Sequence, residues 1–279
     1  MARALRHARE LLKGMAVMIS SVQNPRVKAV LALQQKSAER RRTGLFVVEG
    51  RRELEHCVEE RFEVESVYVC KEMVGEGEDV WMDRLEVIEV TRSVYEKMAY
   101  RGSTEGMIAV VKERKLQLGD LRLREKPLLM VVERVEKPGN LGAILRSADA
   151  AGVDAVIVCD ALTDLWNPNL IRSSIGAVFT VPCVLCGSDE CICFLKERGV
   201  QILTAQLQDS EEYYDVDMKQ GTAIVMGTEA TGLTEVWRQA ADAHIRIPML
   251  GRLDSLNVSV SAAVLLYEAV RQRGKAFMS

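Results

Sequence analysis

Short apolar runs rich in valine and isoleucine recur along the chain, and helical patterns separate them. Before residue 112 the runs are LFVVEG, VESVYVC, LEVIEV and GMIAVV. From residue 127 they are LLMVVERV, AVIVCD, TVPCVLC, VQILTAQL, TAIVMG and IRIPM. Apolar strands that alternate with helices are typical of a mainly parallel sheet covered on both faces. The pattern predicts the α/β class for both regions.

A charge-dense segment lies between these regions. KERKLQLGDLRLREK, residues 112–126, lacks a sustained apolar stripe and is interpreted as a linker. Because 279 residues suit two domains of about 100 to 150 residues each, we expect a smaller domain at 19–111 and a larger one at 127–279. Residues 1–18 are interpreted as a basic N-terminal extension. A later start at Met15 or Met18, or an organellar transit peptide, remains open.

Composition and charge narrow the classes of function. The chain is 48% hydrophobic and 28% charged, its net charge is −3 and its pI is about 5.8, which is ordinary for a globular protein. A dedicated nucleic-acid binder is usually globally basic, so any RNA contact must come from local patches. No apolar run reaches the ~18 residues that span a bilayer. We expect a cytoplasmic protein with no membrane partner, and an organellar location is the lesser alternative.

The seven cysteines favour free thiols, because the number is odd and the chain is long. Four of them fall in a short span and raise the question of zinc: Cys183, Cys186, Cys191 and Cys193. On a strand the first two would face opposite sides, and on a helix the last two would diverge. We therefore interpret them as small apolar side chains and predict no metal site.

The crossing ERVEKPGNLGAILRSADAAG follows the first strand of the larger region. Its glycines, Gly139 and Gly142, lack the G-x-G-x-x-G order of a dinucleotide loop. Asn140 and Arg146 are separated by nearly two helical turns and are predicted to share one face near a helix N-terminus, where a phosphate could bind. Taken alone, these two residues are better interpreted as an N-cap asparagine and a surface arginine.

Two further segments carry polar residues beside glycine or proline. In IVMGTEATGL, Gly227 permits close backbone approach to a ligand, and Glu229 can accept hydrogen bonds. In IPMLGRLDSLNVSVSAAVLLYEAV, Ser255 and Asn257 lie in a turn that opens an apolar helix. The helical spacing of the following residues predicts a core-facing side: Leu256, Val260, Ala263, Val264, Tyr267 and Val270.

These three motifs, in this order, resemble those of the SpoU (TrmH-like) family of RNA ribose 2′-O-methyltransferases in the SPOUT superfamily. The family patterns are P-x-N-x-G-x-x-x-R-x-A, G-N-E-x-x-G-L and I-P-M followed by S-L-N-V-S, and Thr228 replaces the asparagine of the second. The N-terminal order N-P-x-V-K-x-V, basic segment, F-x-V-E-G is similar to the L30e-like RNA-binding domain that precedes many SpoU domains. In the family's substrate loop, Glu105 stands where glutamine is common.

The resemblance implies a mainly parallel sheet with a deep trefoil knot, a homodimer, and S-adenosylmethionine as cofactor. It implies catalytic roles for Arg146, Asn140, Glu229, Ser255 and Asn257. The cofactor would contact Leu203, Thr204, Ala205, Gly227, Ile247, Met249 and Leu256. We expect RNA phosphates to contact Arg40, Arg41, Arg42, Arg51 and Arg172. Arginine stays protonated and is a poor base, so Arg146 should orient phosphate and stabilise developing alkoxide charge.

The expected function is methyl transfer to an RNA ribose 2′-hydroxyl. Ribosomal RNA is favoured over transfer RNA by the separate N-terminal domain and the segment IRSSIGAVFTVP. A transfer-RNA methyltransferase and a non-catalytic RNA-binding or assembly protein that retains the fold are the alternatives. A nucleotide-binding enzyme is disfavoured because the phosphate loop is missing. For this function we expect Arg146, Glu229 and Asn257 to meet around one cofactor pocket.

Overall fold

The chain folds into two compact units, Met1–Glu113 and Arg114–Ser279. The computed structural model describes residues 18–74, 85–100, 105–228 and 231–274. The boundary between the two units lies just inside the charge-dense segment, residues 112–126. Within that segment, leucines at nearly alternate positions pack against the core of the second unit: Leu116, Leu118, Leu121 and Leu123. Residues 114–126 are therefore held on the second unit by apolar contacts.

The first unit is a four-stranded sheet with helices. Its elements are α1 (Pro25–Gln35), α2 (Ser37–Thr43), β1 (Leu45–Glu49), α3 (Arg51–Glu59), β2 (Val64–Val69), β3 (Val87–Glu89), α4 (Arg92–Met98) and β4 (Met107–Lys112). The strand order is β1-β4-β2-β3, and only β2 and β3 pair in parallel. The Asn24 side chain accepts the Arg26 N–H at 2.9 Å, and Pro25 occupies the first turn of α1. This cap explains why the helix begins there.

The second unit is built on a seven-stranded sheet. Its elements are β5 (Leu128–Glu133), α5 (Pro138–Ala150), β6 (Ala155–Cys159), α6 (Pro168–Ser174), α7 (Ala177–Thr180), β7 (Cys183–Cys186), α8 (Ser188–Glu197), β8 (Gln201–Ala205), β9 (Glu211–Glu212), β10 (Thr222–Met226), α9 (Glu235–Ala240), β11 (Ala243–Arg246) and α10 (Val258–Arg273). The strand order is β7-β6-β5-β10-β8-β11-β9, and every neighbouring pair is parallel. The mainly parallel sheet predicted from the sequence is confirmed.

Residues of β5, β6 and β10 are buried along their whole length. Helices therefore cover both faces of the sheet, as continuous apolar strands require. None of the helices in the described ranges is long and apolar enough to cross a membrane.

The face of α10 that packs inward differs from the prediction. The buried apolar residues are Val258, Ala262, Leu265, Leu266 and Ala269. Val260 and Tyr267, which were predicted to face the core, are 48% and 51% exposed, and Leu256 before the helix is 38% exposed. The prediction was wrong because apolar residues occupy most of the helix circumference, and spacing alone does not choose between two apolar faces.

Candidate active site

A cavity of about 360 Å³ lies at the carboxyl ends of β8, β10 and β11. Ala205, Gly227 and Arg246 bring these strand ends to its wall, and the loop from Ile247 to Leu256 closes another side. Parallel α/β sheets usually bind ligands at this edge, because loops of variable sequence gather there above a fixed scaffold. The cavity is the candidate ligand site of the second unit.

Gly227 forms one wall through a close backbone approach. Thr228 and Gly232 exchange two backbone hydrogen bonds, of 3.2 and 3.0 Å, and close a tight turn over Gly227. A Cβ atom on Gly227 would lie 2.2 Å from the Gly232 carbonyl carbon, so only glycine fits there. The Thr228 hydroxyl also accepts the Thr231 N–H at 3.0 Å. Threonine thus stabilises the turn where the family pattern has asparagine.

Most of the expected cofactor residues line this cavity, but two do not. Ala205, Gly227, Ile247, Met249 and Leu256 are all at its wall. In contrast, Leu203 and Thr204 are buried within β8, and the Thr204 hydroxyl lies 2.6 Å from Nδ1 of His244. Interior strand residues are covered on both faces, and of the three β8 residues only the last, Ala205, reaches the rim, so the assignment of Leu203 and Thr204 to the cofactor stays a prediction.

Asn140 and Asn257 meet beside the cavity. The amide of Asn257 donates to Oδ1 of Asn140 across 3.3 Å. Asn257 also caps α10, since its Oδ1 accepts the backbone N–H of Ser259 at 3.0 Å and the Ser259 hydroxyl at 2.6 Å. Asn140 lines a smaller cavity of about 130 Å³, and Gly227 lies on the walls of both cavities. The first and third motifs are therefore joined by a side-chain contact.

The other expected catalytic residues are placed differently. Ser255 lines the larger cavity, and its hydroxyl donates to Asp254 at 3.3 Å. Arg146 is exposed on α5 and lines neither of the two cavities. Six helical positions amount to about 600° of rotation, which leaves the two side chains about 120° apart around the helix axis, and to about 9 Å of rise. Arg146 therefore does not share a face with Asn140, contrary to the prediction, and Glu229 lies outside the described residues.

Two buried polar atoms on the cavity wall lack a hydrogen-bond partner among the described residues. They are Oε1 of Gln206, an acceptor, and Nε of Arg238, a donor. Buried polar groups are nearly always hydrogen-bonded, so these two atoms are available to pair with a polar ligand or an ordered water. The sequence did not single out either residue. A sequence signal was available for Gln206, which directly follows the last residue of β8. No such signal was available for Arg238, which lies within the helix α9.

The basic residues of the first unit have unequal exposure. Arg40 is 4% exposed and donates to the carbonyl oxygens of Leu33 and Gln34. Its assignment to RNA was wrong, because the guanidinium fixes the end of α1. Arg41 and Arg42 are exposed, and Arg42 pairs with Glu39.

Arg51 lies at the start of α3, where Glu105 interacts with the helix terminus. The Arg51 backbone N–H donates to Oε2 of Glu105 at 2.6 Å, and the Arg51 side chain pairs with Glu55 at 3.1 Å. A carboxylate at a helix N-terminus is favourable because it accepts otherwise unpaired N–H groups. This contact gives a structural reason for the acid at position 105. Arg172, in the second unit, is exposed on α6.

Comparison with known proteins gives two family matches. The model described as the SpoU rRNA Methylase family matches residues 127–267, and an MRM3-like substrate binding domain matches residues 24–109. The 23S rRNA (guanosine(2553)-2'-O)-methyltransferase RlmP of Bacillus subtilis (strain 168) is 30% identical, and the match covers 89% of this chain and 97% of RlmP.

Two solved structures are similar to most of this chain. A crystal structure described as an RNA 2′-O ribose methyltransferase has a TM-score of 0.82 at 36% identity, covering 92% of this chain and 99% of the other. The SpoU methyltransferase AviRb of Streptomyces viridochromogenes, in complex with AdoMet, has a TM-score of 0.83 at 30% identity. That match covers 90% of this chain and 98% of AviRb.

Proposed function

Because this chain belongs to the SpoU rRNA methylase family, we propose that it transfers the methyl group of S-adenosylmethionine to a ribose 2′-hydroxyl of ribosomal RNA. The observation that carries the proposal is the cavity at the carboxyl ends of β8, β10 and β11, with Asn140 and Asn257 joined beside it. RlmP, which this chain matches over nearly its full length, is named for 23S rRNA. We therefore take 23S rRNA as the substrate class.

The cavity residues fit the cofactor in shape and chemistry. Ile247, Met249 and Leu256 offer an apolar surface for an adenine ring, and Gly227 leaves room for close backbone approach. S-adenosylmethionine carries an amine, a carboxylate and ribose hydroxyls. Buried Gln206 Oε1 can accept from an amine or hydroxyl, and Arg238 can donate to a carboxylate. These two residues are added to the proposed cofactor site.

The chain's own residues must align the ribose and handle one proton. When bound, the cofactor supplies a methyl group activated by a positively charged sulfur. Asn257 is held by the α10 cap and by Asn140, so its amide is fixed before RNA arrives, and fixed groups lower the cost of alignment. Ser255 adds a hydroxyl to the same turn. Arg146 orients the neighbouring phosphate and stabilises negative charge on the ribose oxygen as the hydroxyl proton passes to solvent water.

A homodimer would complete this site. The exposed apolar residues Val260 and Tyr267 lie seven positions apart on α10, so they share a face, and Leu256 precedes them at the cavity wall. A second copy of the chain is the partner that would bury this stripe, in keeping with the predicted dimer. In that arrangement the partner subunit's Arg146, which is exposed, can supply a further positive charge beside the cavity, whose own wall includes Arg238 and Arg246.

The domain assignment follows the same reasoning. We take residues 19–111 as the RNA-binding domain, residues 112–126 as the connection and residues 127–279 as the methyltransferase domain, whose family fold implies a deep trefoil knot. The exposed Arg41, Arg42 and Arg172 and the half-buried Arg51 are the proposed phosphate contacts, because surface arginines position an RNA backbone without reading its sequence. We place the protein in the cytoplasm, where ribosomal RNA would be its substrate.

Purified protein tests the proposal directly. With labelled S-adenosylmethionine and unmodified 23S rRNA, the wild type should release a 2′-O-methylated nucleoside on digestion, and bulk transfer RNA should give none. Arg146→Ala should abolish transfer while calorimetry shows unchanged cofactor affinity. Arg122→Ala, which removes an exposed arginine outside the proposed site, is the matched control and should retain both.

Three results would count against the proposal. Turnover by Arg146→Ala would remove the role given to that residue. Cofactor binding without methyl transfer to any RNA would favour a non-catalytic RNA-binding protein. Methylation of transfer RNA alone would redirect the substrate class.

A further inference from the structure

Three cysteine thiols converge at one edge of the large sheet. Cys159 and Cys186 end the neighbouring parallel strands β6 and β7 and are register partners, and Cys191 reaches them from α8. Their three sulfur atoms all lie within 4.8 Å of one another. The sequence analysis grouped Cys186 and Cys191 with Cys183 and Cys193, which are near them in sequence. Cys159 is distant along the chain and comes close to Cys186 and Cys191 only because β6 pairs with β7.

The sulfur spacing matches a metal site better than a disulfide. The Cys159 and Cys186 sulfurs are 4.0 Å apart, whereas a disulfide bond is about 2.05 Å long. Zinc–thiolate bonds are about 2.3 Å long, so two sulfurs on one ion lie about 3.8 Å apart at a tetrahedral angle and about 4.0 Å apart in a trigonal plane. The Cys159 and Cys186 sulfurs already have this spacing, and the Cys191 sulfur lies within 4.8 Å of both.

The burial of the three cysteines and the negative charge near them also favour a metal site. Cys159 and Cys191 are fully buried, whereas Cys186 is half-buried and gives an ion a way in. Thiolates are the metal-binding form of cysteine. Asp160 adds negative charge near Cys186, and so does Glu190 near Cys191.

We propose that Cys159, Cys186 and Cys191 bind one thiophilic divalent cation of the zinc class, with a fourth position left to water. A divalent ion offsets the charge of three thiolates and the two nearby acids better than a monovalent one does. None of the three cysteines lines the larger cavity at the carboxyl ends of β8, β10 and β11. The ion therefore joins β6, β7 and α8 and stabilises this edge of the sheet, and it does not take part in methyl transfer.

The test uses full-length protein that has been treated with a chelator under reducing conditions. Zn²⁺ titration against a competing chelator should give one ion per chain, and Co²⁺ should give the near-ultraviolet band of a thiolate-bound metal. Cys186→Ser should lose the band and weaken zinc binding by more than the roughly 10- to 100-fold that loss of a supporting group costs. Zn²⁺ should raise the unfolding midpoint of the wild type and not that of Cys186→Ser.

Cys193→Ser is the matched control, because Cys193 lies exposed on the same helix and outside the cluster. It should bind zinc as the wild type does. In the wild type, bound Zn²⁺ should also slow alkylation of Cys186, a readout that needs no variant. Equal zinc binding by the wild type and Cys186→Ser, or a Cys159 to Cys186 disulfide in place of metal binding, would overturn the proposal. Chelated protein should keep its cofactor affinity, so this test is independent of the proposed function.

Discussion

Replacing Gly227 by alanine should disable the cofactor cavity through a backbone collision. The added Cβ would lie 2.2 Å from the carbonyl carbon of Gly232, 2.3 Å from its oxygen and 2.5 Å from the nitrogen of Leu233. Non-bonded carbon atoms sit about 3.5 Å apart or more, so the turn over Gly227 must open by roughly 1 Å. All of the close atoms belong to the backbone, and no side-chain rotation can relieve the contact.

The size of the effect follows from what this opening breaks. The turn is closed by two hydrogen bonds between Thr228 and Gly232, and each contributes about 1 kcal/mol. Overpacking costs about 1 to 3 kcal/mol more. The free energy of unfolding should fall by about 3 to 5 kcal/mol. Because Gly227, Thr228 and Gly232 all line the cavity, cofactor affinity should fall at least roughly tenfold, which corresponds to about 1.4 kcal/mol.

Denaturant unfolding and calorimetric titration of S-adenosylmethionine measure the two effects separately. Gly139→Ala is the control, since its Cβ would meet only the Asn169 amide nitrogen at 3.7 Å, an ordinary contact. It should leave the free energy of unfolding and the cofactor affinity near their wild-type values. If Gly227→Ala bound the cofactor as tightly as the wild type and unfolded at the same denaturant concentration, the placement of the cofactor at this turn would be refuted.

Arg238→Gln should weaken S-adenosylmethionine binding roughly tenfold by calorimetry, because it removes a buried guanidinium donor; unchanged affinity would exclude Arg238 from the site. Burial acts to raise the pKa of Asp154, but hydrogen bonds from Arg124 outweigh it and lower the pKa. The carboxylate therefore stabilises the fold above its unfolded-state pKa of about 3.9, and this stability is lost as pH falls through the lowered folded-state value. Asp154→Asn should lower the free energy of unfolding at pH 7 by about 1 to 3 kcal/mol. If the variant were less stable than the wild type by the same amount at acid pH, this explanation would be contradicted. Val260→Asp should dissociate the proposed dimer in sedimentation experiments, while Val236→Asp, on another exposed apolar position, should not; equal sedimentation of the two would refute the interface.

Local chemistry made much of the fold predictable. Continuous apolar strands indicated the parallel sheet, which the structure contains in the second unit. At the site, glycine at 227 indicated a close backbone approach, and the Gly232 and Leu233 backbone indeed leaves no room for a Cβ atom there. Each of these inferences depends only on residues near one another in sequence.

The misplaced residues depend on long-range packing. Arg40 looked like part of a basic surface, but it is buried because the end of α1 offers carbonyl oxygens that need donors. Val260 and Tyr267 had the spacing of a core face, but the helix packs through its other apolar side. Cys159 joins Cys186 through strand register, which the sequence does not reveal.

Mapping ribose methylation in cellular RNA tests the central claim most directly. We predict that 2′-O-methyl sites, compared in cells with and without the gene, differ by one lost site in 23S rRNA. The wild-type gene should restore that site, and a gene carrying Arg146→Ala should not. An unchanged set of 2′-O-methyl sites in 23S rRNA would contradict the assignment of this chain as a ribosomal RNA 2′-O-methyltransferase.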